Sequence, residues 1–323
     1  MRTNRASRIR QLRAYALGIL ATIACACPGL AAAATESCEP FAQGIPARST
    51  AALPASGLVQ RLVEMNAAER DTAIGAELLA GNIPGFLRRL APIHLTGQLK
   101  DGRKVRVTFC ALPDYLAVGS DEDFLLVPMR LQTALVVAGS FGFLLPTTKM
   151  VDAIYQQAEV RLSPQPLPAG PEMRSTDYYW RHNQMVAAQR SSLGLPLGLL
   201  TAGDKKDLVL SNRLWRTPQQ IAIYGWHRDI EQPIQPLSTV HGARYVDYSH
   251  GVRLVGPVAY IEGEARSVFD VLRDERLAPL LSDEGPFAHL GELLDILKTA
   301  LVNTPLGVSD ALSRAALHVK YAP

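Results

Sequence analysis

Past residue 34, the sequence has no run of about 18 apolar residues, the length that a membrane-spanning helix requires. It also has no internal repeat, no low-complexity tract, no GxSxG motif and no HExxH motif. A soluble protein without a transmembrane anchor is therefore expected, with none of these hydrolase signatures. Removing 34 of 323 residues leaves 289, enough for one large domain or two small ones.

The first 34 residues have the composition of a signal peptide. Small residues at Ala32 and Ala34 follow an apolar run over 14–24, and five arginines precede that run: Arg2, Arg5, Arg8, Arg10 and Arg13. A membrane anchor is the competing interpretation, but the apolar run is short and is followed by Pro, Gly and Ala. The pattern predicts export, to the periplasm or out of the cell.

The basic character of the whole chain comes from this segment. It carries five of the 33 basic residues and none of the 30 acidic ones, so the remainder has a formal charge of 28 − 30 = −2. A nucleic-acid-binding domain normally shows a strong basic excess. No nucleic-acid partner is therefore predicted.

Two of the four cysteines, Cys38 and Cys110, lie outside the signal segment. An even number of cysteines in an exported chain predicts a disulfide between them. The alternative is a catalytic Cys110, but this residue lies in a strand pattern and the nearest histidine, His94, precedes a separate strand.

Hydrophobic periodicity predicts an α+β fold, with an antiparallel or mixed sheet and flanking helices. Residues 35–163 form an N-terminal helical and hairpin region, 164–171 a proline-rich linker, and 172–323 a C-terminal α+β region that carries the candidate site. Within the first region, Asn66 divides two helical patterns, Asp101-Gly102 predicts a hairpin turn, and Thr147 or Thr148 can cap a helix.

Polar groups concentrate in the stretch Leu237–Val255, which reads LSTVHGARYVDYSHGVRLV. One interpretation is a metal site, in which His241, Asp247 and His250 hold zinc and leave a position open for water. A second is nucleophilic catalysis by Ser249, with His227 or His241 as base and Asp247 orienting that base.

The stretch Val209–Val255 also resembles the catalytic core of the L,D-transpeptidase (YkuD-type) family. The matching pieces are Thr217-Pro218, Ile221 to Tyr224, His241-Gly242, and Ser249-His250-Gly251-Val252-Arg253-Leu254. The resemblance implies imidazole roles for His241 and His250 and an anion-contacting Arg253. Val252 stands where the family has its nucleophilic cysteine, and the gap between the two His-Gly pairs is short. The family's acyl-enzyme chemistry therefore cannot run in its usual form.

The leading hypothesis is an exported hydrolase of an extracytoplasmic polymer, most economically peptidoglycan. His241 and His250 would act as acid, base or ligand, while Arg253 or Lys205 would hold a carboxylate. One alternative is a polysaccharide lyase that uses His182, Asn183, Arg244 and Tyr245. Another is a non-catalytic glycan- or peptide-binding protein with a degenerate enzyme-like fold, as Val252 at the nucleophile position suggests. In a purely structural interpretation, His241, Tyr245, Tyr248 and His250 are buried hydrogen-bonding residues that fix a sheet edge.

Overall fold

Helices and strands alternate irregularly along residues 36–295, the part of the chain that the computed structural model describes. The predicted signal segment, residues 1–34, and residues 296–323 lie outside it. The α-helices are α1 Ala55–Leu62, α2 Ala67–Leu79, α3 Leu131–Phe141, α4 Thr148–Gln157, α5 Thr176–Ser192, α6 Arg213–Arg216, α7 Val268–Arg273 and a last segment over 290–295. The strands are β1 Ala91–Gln98, β2 Lys104–Ala111, β3 Ala117–Gly119, β4 Phe124–Leu126, β5 Val160–Arg161, β6 Thr201–Ala202, β7 Lys206–Leu208, β8 Ile223–His227, β9 Pro233–Ser238, β10 His250–Gly251, β11 Val255–Ile261 and β12 Glu264–Ser267.

Local sequence signals account for several of these boundaries. The Asn66 side chain caps α2 in a reciprocal pair with Glu69, so the division predicted at Asn66 is confirmed. The Thr147 hydroxyl accepts a hydrogen bond from the backbone of Met150 and caps α4, as predicted. Gly102 adopts a left-handed conformation in the predicted turn between β1 and β2.

Two four-stranded sheets form the centre of the fold, and they confirm the predicted α+β class. The first is antiparallel in the order β1-β2-β11-β12. The second has the order β10-β7-β8-β9 and is mixed, because β10 pairs with β7 in parallel and the other neighbours are antiparallel. The second sheet carries the residues of the candidate site.

The predicted linker, residues 164–171, contains no strand and reaches a short 3-10 helix at Pro171. The parts before and after it share the first sheet, since β2 pairs with β11. The described residues accordingly belong to one compact unit and share a continuous core of buried apolar side chains. Residues 164–171 thus connect two parts of one compact unit.

The predicted disulfide between Cys38 and Cys110 is present. It joins the start of the described chain to β2, and Cys110 itself is buried. A disulfide-bonded Cys110 has no thiol for nucleophilic catalysis. Among residues 36–295, none of the helices has the length and apolar content needed to span a membrane.

Candidate functional site

The candidate site is built on the loop between β9 and β10. Backbone hydrogen bonds fix this loop against the segment before β8, from Ile221 N–H to the His241 carbonyl (3.0 Å) and from Ala243 N–H to the Gln219 carbonyl (2.7 Å). The loop then enters β10, where the Lys206 N–H donates to the Ser249 carbonyl at 2.8 Å. Strand β11 begins at Val255, and Val252 to Leu254 form a buried connection between β10 and β11.

Asp247 is the hub of the site. Its Oδ1 accepts hydrogen bonds from the Ser249 hydroxyl (2.6 Å) and the Ser249 N–H (2.8 Å), and its Oδ2 accepts one from the Tyr245 hydroxyl (3.0 Å). The Nε2 atom of His250 lies 3.7 Å from the same Oδ2. Because the buried Ser249 hydroxyl points at Asp247, its geometry is that of a positioning group for this carboxylate.

Three rings lie above this carboxylate. His241 stacks on Tyr245 with ring centroids 4.1 Å apart and planes 10° from parallel. The His250 centroid lies 6.3 Å from that of His241 and 5.8 Å from that of Tyr245. His241 and Tyr245 are partly exposed, whereas Asp247 and His250 are buried. A substrate can therefore reach the first pair, with the buried Asp-His pair directly behind it.

Within residues 36–295, neither nitrogen of the His250 ring has a hydrogen-bond partner. The backbone beside it is closely packed, since a Cβ atom at Gly251 would lie 2.6 Å from the Tyr115 ring and 2.8 Å from Lys205 Cβ. This is the close approach that glycine permits. Buried polar atoms are usually paired, so unpaired imidazole nitrogens are costly, as are the unpaired atoms of Asp204, Asp207 and Trp226 in the described chain.

Burial and neighbouring charges set the protonation of these groups. Burial lowers the pKa of His250 to about 4, against the opposing effect of Asp247. Burial also lowers the pKa of His241, assisted by Lys206. For Asp247, burial is outweighed by His250, Ser249 and Lys206, and its pKa lies below the usual value. At neutral pH the site therefore contains two neutral imidazoles and one carboxylate.

Burial and then Asp247 raise the pKa of Tyr245 to about 12, so its hydroxyl keeps its proton at neutral pH. Lys206 pairs with His250 across the β7-β10 ladder, which directs both side chains to one face of the sheet. Its ammonium group lies 5.0 Å from the ring centroid of Trp226. Lys206 thus adds a cation beside the two histidines.

This geometry bears on the predicted zinc ligands His241, Asp247 and His250. Both oxygens of Asp247 accept hydrogen bonds, and His241 is stacked on Tyr245. Within the described range 36–295, no group of three or more His, Cys, Asp or Glu side chains is arranged to hold a metal ion. The residues as arranged do not fit a three-ligand zinc site, and zinc stays a prediction that chelation can test.

His227, the predicted alternative base, belongs to a separate group of contacts. Its Nε2 lies 3.0 Å from Asp152 Oδ1, and its ring stacks on Tyr155 with centroids 4.5 Å apart. The Tyr224 hydroxyl donates to the same Asp152 carboxylate at 2.9 Å. The structure therefore brings His241, Tyr245, Asp247, Ser249 and His250 together, but His227 is bound elsewhere.

Three predicted substrate-binding residues are buried and bonded within the protein. Arg253 donates to the carbonyls of Leu112 (2.8 Å) and Thr201 (2.6 Å). Lys205 donates to the Tyr248 carbonyl at 2.6 Å, and its Nζ lies 3.1 Å from His182 Nδ1. Since Arg253, Lys205 and His182 are at most 1% exposed, they do not contact a substrate in this structure. They fix the backbone behind the site.

Asn183, which was predicted to assist a lyase, is also structural. Its side chain accepts from the Leu126 N–H and donates to the Phe124 carbonyl. Arg244, by contrast, is exposed at the edge of the loop, as a substrate contact requires.

Sequence reasoning missed Arg174 as a neighbour of the site. Its guanidinium lies 5.8 Å from the Tyr245 ring centroid although the two residues are 71 positions apart (245 − 174). A single sequence contains no signal for such a contact. No family model, curated protein or solved structure matches this chain. The resemblance to L,D-transpeptidases therefore stays a prediction.

Proposed function

We propose that this protein is an exported hydrolase that uses a metal-free acid-base site to cleave an extracytoplasmic polymer, with peptidoglycan as the first candidate. The observation that carries the proposal is the unpaired, buried His250 ring beside the Asp247 carboxylate, directly behind the accessible His241-Tyr245 pair. Neutral imidazoles close to a carboxylate are groups that can accept and return a proton at neutral pH.

In the proposed reaction, His241 is the general base, and the buried His250 ring, whose Nε2 lies 3.7 Å from Asp247 Oδ2, positions that carboxylate. The neutral imidazole takes a proton from a water molecule as the water oxygen bonds to the electrophilic carbon of the substrate. The same proton then passes to the leaving nitrogen or oxygen as the scissile bond breaks, so that His241 returns to its neutral form. Asp247 holds the Tyr245 hydroxyl, and Tyr245 in turn supports the His241 ring.

Two observations support the proposed export. The first 34 residues have the composition of a signal peptide, and Cys38 and Cys110 form a disulfide, which persists in oxidising compartments. In a bacterium, the periplasm or cell surface presents peptidoglycan at high local concentration. This makes cell wall the first substrate to test.

The test is the release of soluble fragments from purified peptidoglycan sacculi by wild type, His241→Ala and His250→Ala. His94→Ala is the matched control, because His94 is an exposed histidine on β1 that contacts Thr108, away from the site. We expect release by wild type and control and a loss of at least about 100-fold in the two site variants. Equal release by wild type and His250→Ala would remove His250 from the mechanism, and saturable binding without product would favour the binding-protein alternative.

A lyase is the second candidate, favoured by the stacking of His241 on Tyr245 with Arg174 above the Tyr245 ring. In that reaction a His-Tyr pair removes a proton while a cation neutralises the uronate carboxylate. Incubation with polyuronate chains distinguishes the two, since elimination creates an unsaturated product that absorbs in the ultraviolet. No such absorbance is expected if the protein is a hydrolase.

A further inference from the structure

A narrow cleft lined by four arginines adjoins the candidate site. Its lining includes Arg70, Asp71, Arg130, Arg174, Tyr179 and Arg244. These residues come from α2, from the turn before α3, from the 3-10 helix before α5, from α5 itself and from the loop that carries His241. The arginines are brought together only by the fold, because up to 174 positions separate them along the chain (244 − 70).

The charge of this cleft is not balanced by its acidic residue. Asp71 is buried and receives hydrogen bonds from the Arg130 backbone N–H (2.8 Å) and the Thr133 hydroxyl (2.5 Å). Burial raises the pKa of Asp71. Arg70 is buried and its guanidinium is occupied by neutral groups, including the Thr176 hydroxyl and the Arg174 carbonyl.

Arg174 and Arg244 have no carboxylate partner in the part of the chain that the structure describes, whereas Arg130 interacts with the Asp71 charge. The arginine ion pairs found there involve Arg106, Arg190, Arg253 and Arg266. Arg174 and Arg244 are exposed and Arg130 is partly exposed. Four arginines against one aspartate leave a formal charge of +3, and the exposed guanidinium groups of Arg174 and Arg244 are available to bind an anion.

The cleft is continuous with the candidate site. Arg174 lies over the Tyr245 ring, and Arg244 and Val246, which line the cleft, flank Tyr245 in sequence. Tyr179 also lines the cleft, and the Asp247 charge raises its pKa, after the larger effect of burial, to about 12. An anion at the cleft would thus lie beside the groups assigned to proton transfer.

We propose that the arginine cleft is a subsite for a carboxylate of the substrate, next to the bond that is cleaved. This inference rests on the proposed function and specifies its substrate class, a polymer or peptide that carries a carboxylate adjacent to the scissile bond. The enclosed volume is about 10 Å³, room for roughly one water molecule. The carboxylate therefore binds at the mouth of the cleft, on the Arg174 and Arg244 guanidinium groups.

Binding can be measured without turnover in the His241→Ala background of the full chain. The probes are soluble peptidoglycan fragments, the same fragments with their carboxyl groups amidated, and polyglycerol phosphate. Arg174→Ala with Arg244→Ala removes the two exposed guanidinium groups. Arg103→Ala is the matched control, since Arg103 is an exposed arginine in the turn between β1 and β2, outside the cleft.

We expect amidation of the fragments to weaken binding to the background protein by about tenfold or more, as for loss of a charge-assisted hydrogen bond. The double arginine variant should bind unmodified fragments more weakly by a similar factor. It should bind amidated and unmodified fragments with equal affinity. Arg103→Ala should bind as the background does. Arg174→Lys with Arg244→Lys keeps the charge but not the bidentate geometry, so it should recover only part of the affinity.

Equal binding of amidated and unmodified fragments, or unchanged binding by a folded double variant, would overturn the subsite. Tighter binding of polyglycerol phosphate than of the fragments would overturn its assignment to a carboxylate. The hydrolase proposal and the subsite proposal can be contradicted independently. Binding that depends on Arg174 and Arg244 but no fragment release by wild type contradicts hydrolysis alone, whereas release that the arginine variants leave unchanged contradicts the subsite alone.

Discussion

The Tyr245 hydroxyl donates a hydrogen bond of 3.0 Å to Oδ2 of Asp247, while the Tyr245 ring stacks on His241. One side chain thereby connects a buried carboxylate to the accessible imidazole that the proposed reaction uses as its base. The position of His241 depends on a contact that Tyr245 makes, and the position of Tyr245 depends on Asp247.

Tyr245→Phe keeps the stacked ring and removes the hydrogen bond. We expect a decrease in kcat of roughly 10- to 100-fold with a small change in KM, because the ring that supports the base loses its orientation. Fragment release from sacculi over a range of substrate concentrations measures both constants. Tyr260→Phe is the control, since the Tyr260 hydroxyl donates to the Ser37 carbonyl near the disulfide, away from the site. Similar kinetics for both variants would contradict this role of Tyr245.

The rate should fall in acid as His241 becomes protonated. Burial lowers the pKa of His241 below its ordinary value of 6.5, so the neutral base persists to a lower pH than for a free histidine. A profile of kcat/KM against pH should therefore be level near pH 7 and decrease only below pH 6.5. A decrease in kcat/KM centred above pH 6.5 would assign the base to another group. A decrease that is equally large in His241→Ala would do the same.

His250 should make stability depend on pH. Its folded pKa of about 4 is lower than the unfolded value of 6.5, so between these limits the unfolded chain binds more protons, and stability decreases as the pH falls. This ring accounts for a loss of about 2 kcal/mol in the free energy of unfolding between pH 7 and pH 5.

Urea denaturation of wild type and His250→Asn at both pH values isolates this contribution. Burial acts on other groups too: it lowers the pKa of His182 to about 2 and raises those of Asp204 and Asp207 to about 6. Only the difference between the two proteins is therefore informative. If His250→Asn lost as much stability between pH 7 and pH 5 as wild type does, His250 would not be held neutral in the folded protein.

Chelation should leave fragment release within about twofold of the untreated rate. The reason is the geometry of the described site, in which both Asp247 oxygens accept hydrogen bonds and are not directed at a shared ion. Dialysis against a strong chelator, followed by zinc addition, makes the comparison. Activity that disappears on chelation and returns with zinc would instead support the predicted site of His241, Asp247 and His250.

Reduction of the disulfide should destabilise the fold. Cys38 and Cys110 are 72 positions apart, and closing a loop of that length contributes about 4 kcal/mol in the chain-entropy model. We expect dithiothreitol to lower the urea midpoint of wild type, and Cys38→Ala with Cys110→Ala to have a low midpoint that dithiothreitol does not change. Equal midpoints for oxidised and reduced wild type would show that other contacts hold the N-terminal segment.

Local signals in the sequence determined much of the fold. The Asn66 cap, the Asp101-Gly102 turn and the Thr147 cap depend on interactions within a few residues, and each is present where it was predicted. The pairing of Cys38 with Cys110 followed from their number alone. The α+β class followed from periodicity, which records which face of a helix or strand is buried.

The sequence also identified the site residues His241, Tyr245, Asp247, Ser249 and His250. They lie within ten residues, and a single loop brings them close together. Only the tertiary structure decided which charged groups reach a substrate. Arg253 and Lys205 turn inward and donate to backbone carbonyls, Lys205 also contacts the buried His182, and His227 pairs with Asp152, 75 positions away. Arg174 reaches Tyr245 because the packing of distant elements, which no local pattern encodes, brings their side chains to the same surface.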